Sequence, residues 1–149
     1  MASIFEKETA ERFIKRIDSL TPVTQHLWGT MTVSQMLAHI QQPILVALGE
    51  TTPKRSFFSR IFGPLIKVAV VNEKPFKQDL PTDASFIIGT EKNFDQEKQQ
   101  AIQLISRLSA GGHTGVAGRK HPLFGTLTPE EWDVLTIKHL DHHLRQFGV

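Results

Sequence analysis

The residues best suited to chemistry in this chain are its histidines, and two of the seven stand out by their spacing. Advancing about 100° per residue from Trp132, the side chains of Leu135, Thr136, His139, His143, Gln146 and Phe147 all fall within about 60° of one direction. Two imidazoles therefore point where core side chains belong. Histidine is only an intermediate candidate for burial, so a pair four apart on an apolar stripe needs a reason beyond packing. A metal ion is the simplest reason. The i, i+4 spacing sets both rings one turn apart on one face, as the paired histidines of an H-E-x-x-H helix are set around zinc. Asp141 points away from the pair, so the metalloprotease reading fails, and His142 lies off the centre of the stripe. Both ligands would be neutral, so binding should weaken as pH falls through roughly 6.5.

A pair needs a third ligand, and His26, His39, His113 and His121 remain. With no cysteine in the chain, thiolate sites, disulfides and iron–sulfur clusters are excluded. His39 is the best candidate, because it lies on another long helix at the border of an apolar stripe. For proton transfer the chain offers His121 in a Gly-rich loop, His142 beside the pair, and Glu131 two turns before His139. Arg119 and Lys120 either attract an anionic substrate or are solvated loop charges.

Four helices must position these groups. Phe5 to Leu20 repeats apolar residues at helical spacing, and Thr21-Pro22 ends the segment. A second helix runs from Thr32, a candidate cap, to Gly49, with Pro43 expected to loosen it near His39. A third follows Asn93 or Asp95 and reaches Ser109, where Gly111-Gly112 stops it. The fourth opens with the clearest start signal: Thr128 as cap, Pro129 in first position, Glu131 completing a capping box, and Leu127 and Trp132 placed as a hydrophobic staple. Between the second and third helices, Lys54, Arg55, Arg60 and Lys67 interleave with Phe57, Phe58, Ile61 and Phe62. This stretch reads either as a basic amphipathic helix for a membrane or partner, or as an irregular excursion packing its phenylalanines onto the bundle. The packing reading is preferred. Ser85 to Ile88 reads as briefly strand-like, and His113 to Leu127 as loop. Gly111-Gly112-His113-Thr114-Gly115 lacks the ending of a phosphate loop and follows a helix.

The 149 residues suit one domain with one core, 1–149. A formal charge of +2 with scattered basic residues gives no reason to expect nucleic acid. No signal-peptide layout and no apolar run of transmembrane length is present, so a cytoplasmic protein without stable membrane insertion is expected.

Trp28-Gly29-Thr30-Met31-Thr32-Val33-Ser34-Gln35-Met36-Leu37-Ala38-His39 resembles the Trp-led second helix, ending in a ligand histidine, of the DinB/YfiT-like four-helix proteins. His139-Leu140-Asp141-His142-His143-Leu144-Arg145-Gln146 is similar to the His-x-x-His-His-x-x-Gln signature of their last helix. More narrowly, Lys54 to Phe58, the Leu80-Pro81-Thr82 turn and His121 to Thr128 resemble an uncharacterised bacterial branch, the domain of unknown function 1569. The resemblance implies an all-α, DinB-like four-helix bundle in up-down-down-up order, often a homodimer, with His39, His139 and His143 as ligands of a divalent metal. It also implies a small-molecule substrate, with thiol-dependent transferases, an isomerase and hydrolases among the relatives. Leu144-Arg145-Gln146 departs from the Arg-Gly-Gln that usually follows the double histidine, which touches the substrate side of the site. Three neutral histidines leave the double positive charge of an ion uncompensated, which favours Lewis-acid chemistry and, among metals, zinc or nickel. The rival readings are a noncatalytic metal-binding or interaction module, and histidines that only hydrogen-bond within the core.

Overall fold

The computed structural model describes residues 2–72 and 74–149. The described residues are mostly helical: α1 (Lys7–Asp18), α2 (Val33–Ala47), α3 (Phe57–Val70), α4 (Phe94–Val116) and α5 (Pro129–Gln146), with a two-residue hairpin of β1 (Lys120–His121) and β2 (Gly125–Thr126). The helices α1, α2, α4 and α5 pack on one another. Their inner faces share one apolar cluster that includes Ile17, Met36, Ile40, Ile105, Leu108, Leu140 and Leu144, all almost wholly buried. This burial is the main favourable term for a chain without disulfides.

Local signals explain where the helices begin. Thr32 and Thr128 each form a complete capping box, with Gln35 and Glu131 reaching back to the cap N–H, so α2 and α5 start in fixed frames. Asn93 caps α4 and Ser56 caps α3 through their side chains. The helix α2 runs through Pro43 without a break in its assignment and ends before Gly49, which adopts φ +76.

Several expectations are corrected. The regular run of α4 does stop at the Gly111-Gly112 pair, where Gly112 leaves helical geometry (φ 56, ψ −159), but a second short helical segment follows the kink and reaches Val116. The stretch after it is therefore helix and then hairpin rather than loop. Residues Ala84–Phe86 form one 3-10 turn, nucleated by the Asp83 carboxylate accepting from Ser85 N–H, where a strand was expected. The excursion after α2 is not irregular, since it contains α3, and the phenylalanines of α3 do not pack into the core. Phe57 is 78% exposed, and Phe58, Ile61 and Phe62 are also exposed.

The inward side of α3 is instead made of Ser59, Gly63 and Ile66. A Cβ at Gly63 would lie 2.1 Å from the Leu123 carbonyl oxygen, so glycine permits the helix to touch the hairpin. The Arg55 guanidinium bridges the same contact, donating to the carbonyls of Ser59 (2.8 Å), Pro122 (3.2 Å) and Leu123 (3.3 Å). Lys67 pairs with Glu131 at 2.7 Å, tying α3 to the first turn of α5.

Because the Thr128 hydroxyl accepts from Glu131 N–H at 3.2 Å, Thr128→Ala should destabilise the protein by about 1 kcal/mol. Urea denaturation measures this, and an unchanged midpoint would show that the box does not set the frame of α5.

Candidate metal centre

The helix α2 carries His39 into the interior, and α5 carries His139 and His143 toward it one turn apart. His39 and His143 are buried and His139 is partly buried. Each ring offers one nitrogen to a set in which all three atoms lie within 4.8 Å of one another. The closest pair is His39 Nε2 and His139 Nε2, 2.9 Å apart. No other group of three or more His, Asp or Glu with this geometry occurs among the described residues.

Protein acceptors decide which nitrogens face inward. His39 Nδ1–H donates to the carbonyl oxygen of Phe86 at 2.9 Å, which leaves Nε2 with its lone pair. The Gln146 amide donates from Nε2 to the Trp28 carbonyl at 2.9 Å, so its oxygen must face the other way, where it accepts from His143 Nδ1–H at 2.8 Å. Thus His143 Nε2 also keeps its lone pair and finds no hydrogen-bond partner among the described residues. Anchoring the second ring nitrogen in this way fixes tautomer and ring orientation in metal sites.

The backbone is shaped for this relay. Gly29 adopts φ +79, and a Cβ there would stand 2.5 Å from Gln146 Nε2. Leu27 N–H also donates to the Gln146 carbonyl at 2.7 Å, so the segment before α2 is stapled to the end of α5. The Trp28 ring meets His142 edge-on at 5.7 Å between centroids.

Burial makes every one of these histidines harder to protonate. It lowers His39, against a smaller raising effect of the Phe86 carbonyl. It pushes His139 well down, helped by the neighbouring His143 and His39. His143 falls to about 3, by burial first and then by His39. At neutral pH the set is therefore uncharged and able to ligate. His142 is also lowered, chiefly by burial and then by Arg145.

A cavity of about 920 Å³ opens onto the three rings. Its walls are largely apolar, with Met31, Ile44, Phe58, Phe76, Phe86 and Leu135 among them, and His121 and His142 also line it. No lysine or arginine does so among the described residues, while Asp79 and Asp83 do. His121 is buried on the hairpin, stacked on Phe124 at 4.5 Å. Its Nδ1 accepts from the N–H groups of Leu123 (3.1 Å) and Phe124 (3.4 Å), so Nε2 carries the proton.

Other candidates lie elsewhere. Glu131 is engaged by its capping box and by Lys67. Asp141 pairs with Arg16 at 2.9 Å on the outer side of α5. Arg119 packs against Gly49, away from the cavity lining, and His113 rests on Phe5. His26 bonds locally to the Met31 carbonyl at 3.0 Å. Sequence reasoning missed two orienting groups. The Phe86 carbonyl carries no sequence signal, whereas Gln146 lay on the stripe and three residues after His143, a signal that was available.

Two outcomes follow. Replacing Gln146 by Leu frees His143 to rotate and should weaken zinc affinity by about 10–100-fold. Competition with a chromogenic chelator measures this, and unchanged affinity would remove Gln146 from the site's support. The second concerns pH. Burial lowers His121 from its ordinary value of 6.5 to about 4. The unfolded chain then binds this proton more readily than the folded one. Stability should be level above pH 6.5 and decline as pH falls through the interval down to about 4, by on the order of 3 kcal/mol from this group in the metal-free protein. His121→Asn should flatten that part of the profile, and parallel profiles for variant and parent would contradict the assignment.

A family model described as Protein of unknown function (DUF1569) matches residues 5–148. No curated protein and no solved structure matches the chain.

Proposed function

We propose that the chain, which belongs to this family of unknown function, is a metal-dependent enzyme acting on a small molecule with an apolar body. The observation that carries the reading is the convergence of His39, His139 and His143, with two of the three aimed by anchored Nδ1 protons. In this reading α1, α2, α4 and α5 form a DinB-like bundle in up-down-down-up order within one domain, and α3 is an addition to it. Zinc or nickel suits three neutral imidazoles best. Bound there, the ion would act as a Lewis acid, polarising a carbonyl or lowering the pKa of a ligating group.

The chain's own residues divide the remaining work. His39 and His143 are held by Phe86 and Gln146 with lone pairs forward. The apolar wall excludes water and receives the body of the substrate. His121 presents Nε2–H as a hydrogen-bond donor toward a substrate oxygen, since its Nδ1 is already an acceptor for two backbone groups. His142, uncharged by burial and on the cavity lining, is the proton acceptor.

The cavity's charge bears on the choice among reactions. Acidic low-molecular-weight thiols need cations to receive their carboxylates, and the lining offers only Asp79 and Asp83 as charged groups. Hydrolysis of an uncharged substrate is therefore favoured over thiol-dependent transfer. A noncatalytic metal-binding module is the alternative, and the depth of the cavity beside the histidines speaks against it.

Elemental analysis of the purified protein should find one divalent metal per chain, and His39→Ala or His143→Ala should each lose it. Full occupancy in both variants, at unchanged melting temperature, would refute the three-histidine site.

A further inference from the structure

Apart from Phe58, which also lines the cavity, the outer face of α3 has no task in this reading, yet it is the most exposed apolar surface described in the chain. Phe57, Phe58, Ile61, Phe62, Leu65 and Val68 fall within an arc of about 140° around the helix, and every one is exposed, Leu65 to 71% and Val68 to 78%. Six large apolar side chains on one short helix exceed the scattered singles of an ordinary surface.

The charges that α3 and its entry carry beside this arc are basic, with Lys67 paired to Glu131 of α5. Between Lys54 and Asn72 there are four basic residues and no acidic one. Arg60 lies on the flank next to Phe57, and with Arg55, Lys120 and Thr126 it walls a shallow recess of about 480 Å³. Arg55 is spent on backbone carbonyls, and neither Arg60 nor Lys120 has an ion-pair partner among the described residues.

We propose that the exposed face of α3 and the adjoining basic recess dock reversibly onto an anionic lipid bilayer. A helix of 14 residues is roughly 21 Å long, too short to cross, and no helix described is long and apolar enough to do so. It lies in the interfacial plane instead, its aromatic and aliphatic residues among the upper acyl chains and Arg60 and Lys120 at the phosphates. A second copy of the chain fits less well, because two-fold pairing through this face would set the unpaired Arg60 and Lys120 of one copy against those of the other. A bilayer complements both halves of the surface, apolar beneath and anionic at the rim. Phe58 and Ile66 also line the cavity above the histidines, so the docked face is continuous with the cavity wall.

The test needs neither a metal nor a substrate, so its outcome is independent of the proposed enzymatic role. The full chain is sedimented with vesicles of pure phosphatidylcholine, and with vesicles of equal parts phosphatidylcholine and phosphatidylglycerol. Binding to the anionic vesicles should exceed that to the neutral ones by at least about tenfold and fall with added salt. Phe57→Ser with Phe62→Ser should lower the partition coefficient by at least about tenfold. Arg60→Glu with Lys120→Glu should remove the preference for phosphatidylglycerol while the melting temperature stays unchanged. Failure to bind either vesicle would overturn the proposal, as would equal binding by parent and variants. A dimer in sedimentation velocity that Phe57→Ser with Phe62→Ser dissociates, without vesicle binding by the parent, would assign the face to a second copy instead.

Discussion

Burying an imidazole is tolerable only when both nitrogens are provided for, one as donor and one as acceptor, and when the ring stays uncharged. The region where α2 meets α5 must meet that condition for three rings at once. It does so for His39 and His143 by spending each Nδ1 proton on a fixed protein acceptor, Phe86 or Gln146. The lone pair on His39 Nε2 then accepts from His139 Nε2–H at 2.9 Å, while the lone pair on His143 Nε2 is left without a partner among the described residues. Rings fixed on their outer side, with ring nitrogens gathered at the centre, are what a cation-binding site requires.

The rest of the molecule maintains this arrangement at a distance. Gln146 can serve His143 only while Trp28 and Gly29 occupy the groove beside it, which requires the segment before α2 to be held against the end of α5. Phe86 reaches His39 only because the Asp83 cap folds the 3-10 turn beneath it. His121 depends on the hairpin, and the hairpin on Arg55 and the absence of a side chain at Gly63. Two connections without long-range periodicity therefore aim groups supplied by two periodic helices, and a third, the hairpin, carries His121 itself.

This division explains how much could be read beforehand. The frame of α5 was legible because a capping box is a local pattern, and the direction of His139 and His143 follows from that frame and a constant rotation per residue. The resemblance of Trp28 to His39 marked the second segment, although the job of Trp28 lies in its carbonyl, which every residue shares. The Phe86 carbonyl was illegible for the same reason. Gly111-Gly112 was legible as a stop, since Gly112 adopts a conformation foreign to a helix, but the helical segment that follows it to Val116 was not. In α3 the amphipathic pattern was visible, but a pattern states that a face exists and not what covers it. The inward contact is carried by Ser59 and Gly63 together with Ile66 and Val70, and not by the phenylalanines that dominate the pattern.

That inversion constrains how α3 could have come to sit where it does. A helix added to an existing core usually contributes its largest apolar residues to it, since these yield the most on burial. Here the small residues face the hairpin and the phenylalanines face outward, while Lys67 and the Val70 carbonyl secure the far end through Glu131 and Lys138. The attachment of α3 thus combines Ile66 and Val70 with polar and close steric contacts, and most of its large apolar residues stay exposed. Since Phe58, Ile66 and Val70 also line the cavity, whatever covers the outer face bears on the same helix that closes one side of the histidine site. The same helix meets the hairpin that carries His121 through Arg55, which donates to the Leu123 carbonyl, and through the close approach that Gly63 permits.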